Sequence, residues 1–363
     1  MEKGDILFNN TNSASLVGKT AHFNADGTYL FSNHMTRIRV DPEVAEARFV
    51  ARFLHWSWKQ GLFQEMVTQW VNQAAINRTQ LARFPIHLPA LTEQRRIVEI
   101  IDKADALRKK RAKADARTQR ILPALFQEVF GDPATNPRGW ESAPLGSLAP
   151  DGPQYGANAS AAPWQPGEPR YVRITDIQSN GKLSESGRVT LNVNDWTQYK
   201  LAWGDLLFAR SGATVGKAYL YMPSDGPCAF AGYLIRFRLN QDEINPWYAY
   251  ALTRTSYYTN WVGSNRRTAA QPNINGQEYA SLRIPKPPLE IQTRFAEAAS
   301  TLLSIEEASI ASARKIETLA DTVLHRAFSG ELTVRWREAH MKELLQEMEM
   351  QARWVQAKET DHD

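Results

Sequence analysis

Cysteine is nearly missing: Cys228 is the only one in 363 residues. This excludes a disulfide scaffold and a cysteine-rich zinc site, and it suits a reducing cytoplasm. Long apolar runs are missing as well. No stretch of eighteen apolar residues exists to span a membrane, and the start MEKGDILFNN has no signal-peptide pattern, so no membrane partner is expected. The seven histidines form no pair at metal-ligand spacing, and there is no GxSxG elbow or glycine-rich cofactor loop. No metal, cofactor or catalytic residue is therefore expected. Gly18-Lys19-Thr20 comes nearest to a phosphate-binding loop, but Ser13 stands where the first glycine belongs. In a second copy, Gly212 lies one residue too close to Gly216 and Ala218 replaces the hydroxyl residue. Strand-like sequence follows both copies instead of a helix that would hold the phosphate, so a P-loop-like nucleotide-hydrolysing enzyme is the weakest reading.

Glycine is also absent from two long stretches that carry the organisation of the chain. From Thr92 to Phe130 the only proline is Pro123, and Ile97, Ile100/Ile101, Ala104, Leu107, Ala114, Ile121/Leu122, Leu125 and Val129 recur at helical steps. This is a long amphipathic helix of about 58 Å, ended by Gly131 and Pro133. From Glu290 to Phe328 a heptad seam runs through Ile291, Phe295, Ala298, Leu302, Ile305, Ser309, Ser312, Ile316, Leu319 and Val323.

The second half of the chain repeats the plan of the first. INRTQLARFPIHLPALTEQ (Ile76 to Gln94) lies over INGQEYASLRIPKPPLEIQ (Ile274 to Gln292), GDILF (Gly4 to Phe8) over GDLLF (Gly204 to Phe208), and Gly18-Lys19 over Gly216-Lys217. At the helix ends Leu122 and Phe126 lie over Leu324 and Phe328, which makes the second helix longer by about one turn. An apolar content of 43% is enough for two cores plus helical connectors.

The net charge of +4 is unevenly spread. Residues 95 to 120 carry ten Lys/Arg against four acids, whereas residues 290 to 328 carry four against six. The basic run is either a solvated face neutralised in part by the acidic helix or a surface for duplex phosphates.

In chain order, strands are predicted at Gly4 to Phe8 and near Lys19 to Phe23, then a helix over residues 47 to 71. In that helix Trp56 and Trp58 are read as packing residues rather than base-stacking ones. The second module opens at PRGW (Pro137 to Trp140) with a turn-rich lead-in. Strands follow at Tyr171 to Ile174, Asp205 to Phe208, Ala218 to Tyr221 and Tyr233 to Leu239, with a helix at Trp247 to Tyr258. GSNRRTAAQPNING (Gly263 to Gly276) reads as a polar display loop. Strands and helices interleave irregularly, which gives an α+β class built from two mixed α/β modules.

GDLLFARSGATVGKAYLY, QPNINGQEYASLRIPKPPLEIQ and LADTVLHRAFSGELT resemble the DNA-specificity subunits of type I restriction-modification systems. The likeness covers Pro137 to about Thr333 fully and Gly4 to Asp132 in part. It implies two target-recognition domains, each reading one half of a split DNA sequence, with the two long helices packed antiparallel as a coiled coil between them. Heads about one helical turn apart, roughly 34 Å, would meet one face of the duplex. The expected partition is a partial first domain at 1–90, a long helix at 91–132, the second domain at 133–288, a second long helix at 289–330 and a helical tail at 331–363.

The resemblance implies a non-catalytic subunit whose partners are double-stranded DNA, two copies of a methyltransferase (modification) subunit, and restriction subunits. A purely structural coiled-coil scaffold would account for the helices but not for the repeated module motifs. Arg210, Ser211, Thr214, Lys217, Arg266, Arg267 and Gln271 are expected on the DNA face. The helix pair is expected to bury Ile97, Ile101, Leu107, Leu122 and Leu125 against Phe295, Leu302, Ile305, Ile316, Leu319 and Val323, with the tail on the modification subunits. Residues 141 to 203 lead into Gly204, whereas three residues precede Gly4. About sixty residues of the first domain are thus unmatched, from a displaced start or because another polypeptide supplies them, and one half-site is expected to be read well and the other poorly.

Overall fold

The computed structural model describes residues 1–69, 73–178, 180–193, 195–266 and 272–360. It forms two compact units, Met1–Ala112 with Ser312–Asp363, and Lys113–Ala311.

In the first unit β1 (Ile6–Asn9) pairs antiparallel with β2 (Thr20–His22) and β3 (Met35–Ile38), Ile6 lying opposite His22 and Ile38. Ile6 and Phe8 point inward while Leu7 and Asn9 stay partly exposed, the alternation of a strand covered on one face. Helix α1 (Ala47–Lys59) closes the covered face with Phe49, Val50, Phe53 and Leu54. The helix predicted to reach residue 71 ends at Lys59, because Gly61 takes φ +75° and turns the chain. Ile97, Val98 and Ile101 from the first long helix (Leu91–Phe130) and Val323, Leu324, Ala327 and Phe328 from the second (Leu289–Phe328) complete this core. Phe328 meets the rings of Phe49 and Phe53 edge-on, at 5.7 and 5.4 Å.

The terminal helix (Met341–Thr360) belongs to this unit and serves the start of the first long helix. Glu347 Oε1 accepts from the Thr92 amide at 2.9 Å, and Gln351 Oε1 from the Leu91 amide at 3.2 Å. Two helix-start donors that lack an intrahelical partner are thus capped from the far end of the sequence. Gln351 Nε2 donates to the Val44 carbonyl, and buried Glu93 accepts from Thr333 and Arg337.

The second unit repeats the frame and adds to it. Among its strands are β4 (Ser142–Pro144), β5 (Gln154–Tyr155), β6 (Arg170–Val172), β7 (Asp205–Ala209), β8 (Ala218–Leu220), β9 (Cys228–Phe230), β10 (Leu234–Arg238) and β11 (Arg283–Pro285). Its main sheet has the order β8-β7-β10-β5; β6 pairs parallel with β9, and β11 pairs with β4. All five residues of β7 are buried. Leu206 and Phe208 enter one core with Phe126, Phe130, Tyr248, Tyr279 and Phe295, and Leu207 and Ala209 enter another with Val172, Ile177, Tyr219 and Phe230. Double coverage is why Leu206 to Ala209 form a continuous apolar run. The helix predicted over Trp247 to Tyr258 is two helices, α2 (Pro246–Leu252) and α3 (Ser256–Asn265). Asn245 caps the first, and Thr255 breaks the run and caps the second.

Both long helices contain forty residues, so the expected extra turn is absent. Phe130 lies over Phe328, and the repeat keeps one offset to the helix ends. At its C-terminus the first long helix gives way to Gly131 at φ +82°, where a Cβ would fall 2.6 Å from Pro137.

The expected seam also needs correction. Ile97, Ile101, Leu122 and Phe295 are buried, and Leu125, Leu302, Ile316 and Val323 are partly so, but Leu107, Ile305 and Leu319 are exposed. The buried line on the second long helix runs instead through Ala296, Ala299, Leu303, Glu306, Ser309, Ala320 and Ala327. Over much of its length it is shifted by one residue, about 100° around the helix. Apart from Leu303 and Glu306, the buried line is made of small residues, alanine and serine. Glu306 is kept there by Arg254 at 3.8 Å, and Ser309 by a hydrogen bond to Asp115.

Candidate nucleic-acid interface

The interface candidate in the second unit starts where β7 runs out. Arg210 donates its amide to the Tyr233 carbonyl at 3.0 Å and accepts from the Ile274 amide at 2.9 Å, while Ser211 pairs with Asn273 across a β-bridge. The segment is thereby clamped between two loops. The Arg210 guanidinium lies 5.0 Å over the Tyr155 ring, whose hydroxyl accepts from the Gly276 amide at 3.0 Å. Gly276 opens a short helix, Gly276–Ala280, closed by a capping box between Asn275 and Glu278. Tyr155 and Tyr233 are both exposed; the Tyr155 ring lies under the guanidinium, and Tyr233 meets Arg210 through its backbone carbonyl.

Two polar atoms here stand out. Arg210 Nε and Asn273 Oδ1 are buried without a hydrogen-bond partner among the described residues. Leaving such a group unpaired costs roughly 1–3 kcal/mol. An arginine fork held over an aromatic ring is pre-organised for a planar acceptor such as a guanine edge or a phosphate.

The other expected residues divide. Ser211 and Thr214 belong to the same turn, Thr214 Oγ1 donating to the Ser211 carbonyl at 3.1 Å. Arg266 is exposed at the end of α3. Lys217 is not brought to Arg210: its ammonium donates to the Ile177 carbonyl at 2.8 Å and lines a separate cleft of about 420 Å³ with Tyr250, Arg254 and Tyr258. Arg267 and Gln271 lie outside the described residues. Tyr155, Tyr233 and Asn273 were not singled out from the sequence; an aromatic inside a turn-rich stretch was the available signal for Tyr155, and the run PNIN the signal for Asn273.

In the first unit Gly18-Lys19-Thr20 runs straight into β2, and Thr20 spends its hydroxyl on the Gly18 carbonyl at 2.9 Å. A cleft of about 350 Å³ beside it is lined by Thr20, His22, Ala51, Arg52 and His55. Burial lowers the pKa of both histidines, which keeps them neutral. On the first long helix Arg108 pairs with Glu317 at 2.7 Å, and Asp102 and Asp105 take Arg52. Part of the basic run is thus neutralised within the unit.

A duplicated sheet-and-helix frame, with long helices attached and an arginine laid over an aromatic ring in one copy, defines a two-module recognition protein. The family described as type I restriction modification DNA specificity domain matches residues 1–114 and 137–315, and the chain belongs to that family. It is 23% identical over 360 residues to the StySPI specificity subunit of Salmonella potsdam, covering 92% of this chain and 75% of the relative. The EcoKI specificity subunit of Escherichia coli K12 is 24% identical over the same coverages. Among solved structures, the S subunit of a type I system from M. genitalium aligns over 90% of this chain and 83% of its own, with a TM-score of 0.57 at 13% identity. A chain solved in work on complex assembly and conformational transition of the type I R-M system covers 92% and 83%, with a TM-score of 0.56 at 19% identity. These likenesses support the fold. No helix among the described residues is long and apolar enough to cross a membrane.

Proposed function

We propose that this chain is the non-catalytic DNA-reading subunit of a cytoplasmic type I restriction-modification complex, directing two modification (methyltransferase) subunits and their restriction partners to a split target. Within residues 133–288, the Arg210 fork reads a guanine edge, the Tyr155 ring sets its plane, and Ser211, Thr214 and Arg266 hold the backbone. The observation that carries this reading is the Arg210–Tyr155–Asn273 arrangement, with its unspent polar atoms at the end of β7. Lys217 is assigned to the fold and not to DNA, because its ammonium is already committed to Ile177. Residues 1–90 form the other reading domain, the two long helices the spacer, and the apolar stripe Met341, Leu345, Met348 and Val355, exposed on the terminal helix, meets the modification subunits.

The test is methylation mapping and binding with the modification subunits present. Arg210→Ala should weaken binding to the mapped tract by about 5- to 150-fold, the equivalent of 1–3 kcal/mol, and leave random DNA nearly unaffected. Arg266→Ala should lower both affinities and reduce the salt slope by about one. Equal losses on specific and random DNA for Arg210→Ala would remove it from base reading.

A further inference from the structure

We propose that Asn10 is a specificity-determining residue of the first unit, reading an adenine edge from the place that Arg210 holds in the second. The inference rests on the base-reading role given to Arg210 and carries it across the internal repeat.

The two sheets share a register that fixes which residues correspond. Ile6 faces His22 and Ile38, as Leu206 faces Leu220 and Phe237. Arg39 grips Asp5 through Nε and Nη2 at 2.8 and 3.2 Å, and Arg238 grips Asp205 at 2.9 and 3.2 Å. The match continues past the ends of the strands. Asn10 donates its backbone amide to the His34 carbonyl at 3.0 Å and accepts from the Ile76 amide at 2.9 Å, as Arg210 does with Tyr233 and Ile274 at the same two distances. Thr11 pairs with Ala75 as Ser211 pairs with Asn273. Asn10 is therefore clamped by the same two loops as Arg210.

The side chain differs, and a neighbour differs with it. Thr36 stands opposite Phe8 where Ile235 stands opposite Phe208, so the first unit supplies a hydroxyl beside its shorter reader. Asn10 Nδ2 donates to Thr36 Oγ1 at 3.0 Å and to the Asn33 carbonyl at 3.4 Å. A carbonyl only accepts, so the atom facing Asn33 is the nitrogen and the atom left over is Oδ1. That oxygen is buried without a hydrogen-bond partner among the described residues, as Arg210 Nε is.

The bond to Thr36 sets the plane of the amide, while the bond to Asn33 is long for a hydrogen bond and belongs to an exposed turn, Ser32 to His34. One N–H and one oxygen are thus open to a ligand that displaces the Asn33 carbonyl. A donor beside an acceptor matches N7 and the N6 amino group of adenine in the major groove. Guanine offers two acceptors there, which suit the all-donor guanidinium of the second unit. One frame accordingly reads two different bases by changing the residue at one place.

The test uses the full chain with its modification subunits. After the fixed tracts are mapped by methylation, equilibrium binding is measured on duplexes carrying each of the four bases at each fixed position. Asn10→Ala should weaken binding to the mapped target by about 5- to 150-fold and abolish the preference at one adenine, in the tract that Arg210→Ala leaves unchanged. Asn10→Arg, a residue that the same frame holds in the second unit, should shift the preference at that position from adenine to guanine. Exchange of the Ile76 amide at the wild-type rate shows that the clamp is intact in each variant. A residue that merely ties the turn would lower affinity for all duplexes alike. Wild-type base preferences in both variants, equal losses on specific and random DNA for Asn10→Ala, or a target with a single fixed tract would each overturn the proposal. The Arg210 reading survives those outcomes and fails on its own result, equal losses on specific and random DNA for Arg210→Ala, which would remove the basis of this inference as well.

Discussion

The duplicated frame allows one substitution to be made twice and its two costs compared. Asp5 and Asp205 are both buried, and each accepts a bidentate pair from an arginine plus a backbone amide, from Glu2 at 2.7 Å and from Ala202 at 2.9 Å. Their surroundings differ. The Arg39 side chain is 48% exposed and keeps a second carboxylate, Glu2 at 3.0 Å, so Asp5→Asn leaves a cation that water and Glu2 still serve. The expected cost is that of the lost charge-assisted hydrogen bonds, about 1.5–3 kcal/mol. Asp205 also faces Arg236 at 3.6 Å, a side chain 5% exposed whose pKa burial already lowers. Removing that counter-charge strands a buried cation and should cost about 3–5 kcal/mol. The gap of roughly 2 kcal/mol corresponds to about 4–8 °C in the midpoint of a unit of this size. Calorimetry with hydrogen exchange to assign each transition measures both costs in one chain. Equal losses, or a loss under 1 kcal/mol for Asp205→Asn, would refute the argument that the buried second arginine sets the difference.

The Arg39 guanidinium holds the Asp5 carboxyl below its usual 3.8, so its contribution is present above that pH and lost as pH falls through the lower folded value; a pH titration of the first unit should lose this dependence in Asp5→Asn. Burial pushes the Cys228 thiol up to about 12, so a thiol reagent at pH 8 should modify the chain only on unfolding; the thiol's contribution is intact below about 9 and declines as pH rises towards 12. A native chain that reacts at the rate of a free thiol would contradict that burial. Gly181→Ala places a Cβ 2.0 Å from the Tyr250 hydroxyl at φ +77° and should lower the second unit's stability by about 1–3 kcal/mol, whereas Gly139→Ala, at φ +67° in open space, should show only the backbone strain. Replacing Glu347 and Gln351 together by alanine should cost about 1 kcal/mol per cap and speed exchange of the Leu91 and Thr92 amides.

The repeat, both long helices and the mixed class were legible because they are written in local code: INRTQ against INGQE, GDILF against GDLLF, and the glycine that stops the first long helix. The helix seam was misread because size was taken as the sign of burial, whereas alanines and a paired glutamate occupy the tight positions and Leu107, Ile305 and Leu319 lie outside. Lys217 looked like a phosphate ligand because nothing local reveals that Ile177, forty residues upstream, offers it a carbonyl. Tyr155 gains its meaning from Arg210 and Gly276, which reach it only through sheet pairing and a distant turn. Contacts of that kind have no periodicity to read.

The placement of Phe328 sets a schedule for synthesis. Its ring covers Phe49, Phe53 and Trp56, so the opening hundred residues emerge from the ribosome with part of their apolar surface bare. The covering residue follows after some two hundred more, roughly 10–40 s at ordinary elongation rates. The contiguous segment from Lys113 to Ala311 can finish in that interval. Translation would thus complete the later half first, with the earlier half waiting until the end of the second long helix is released.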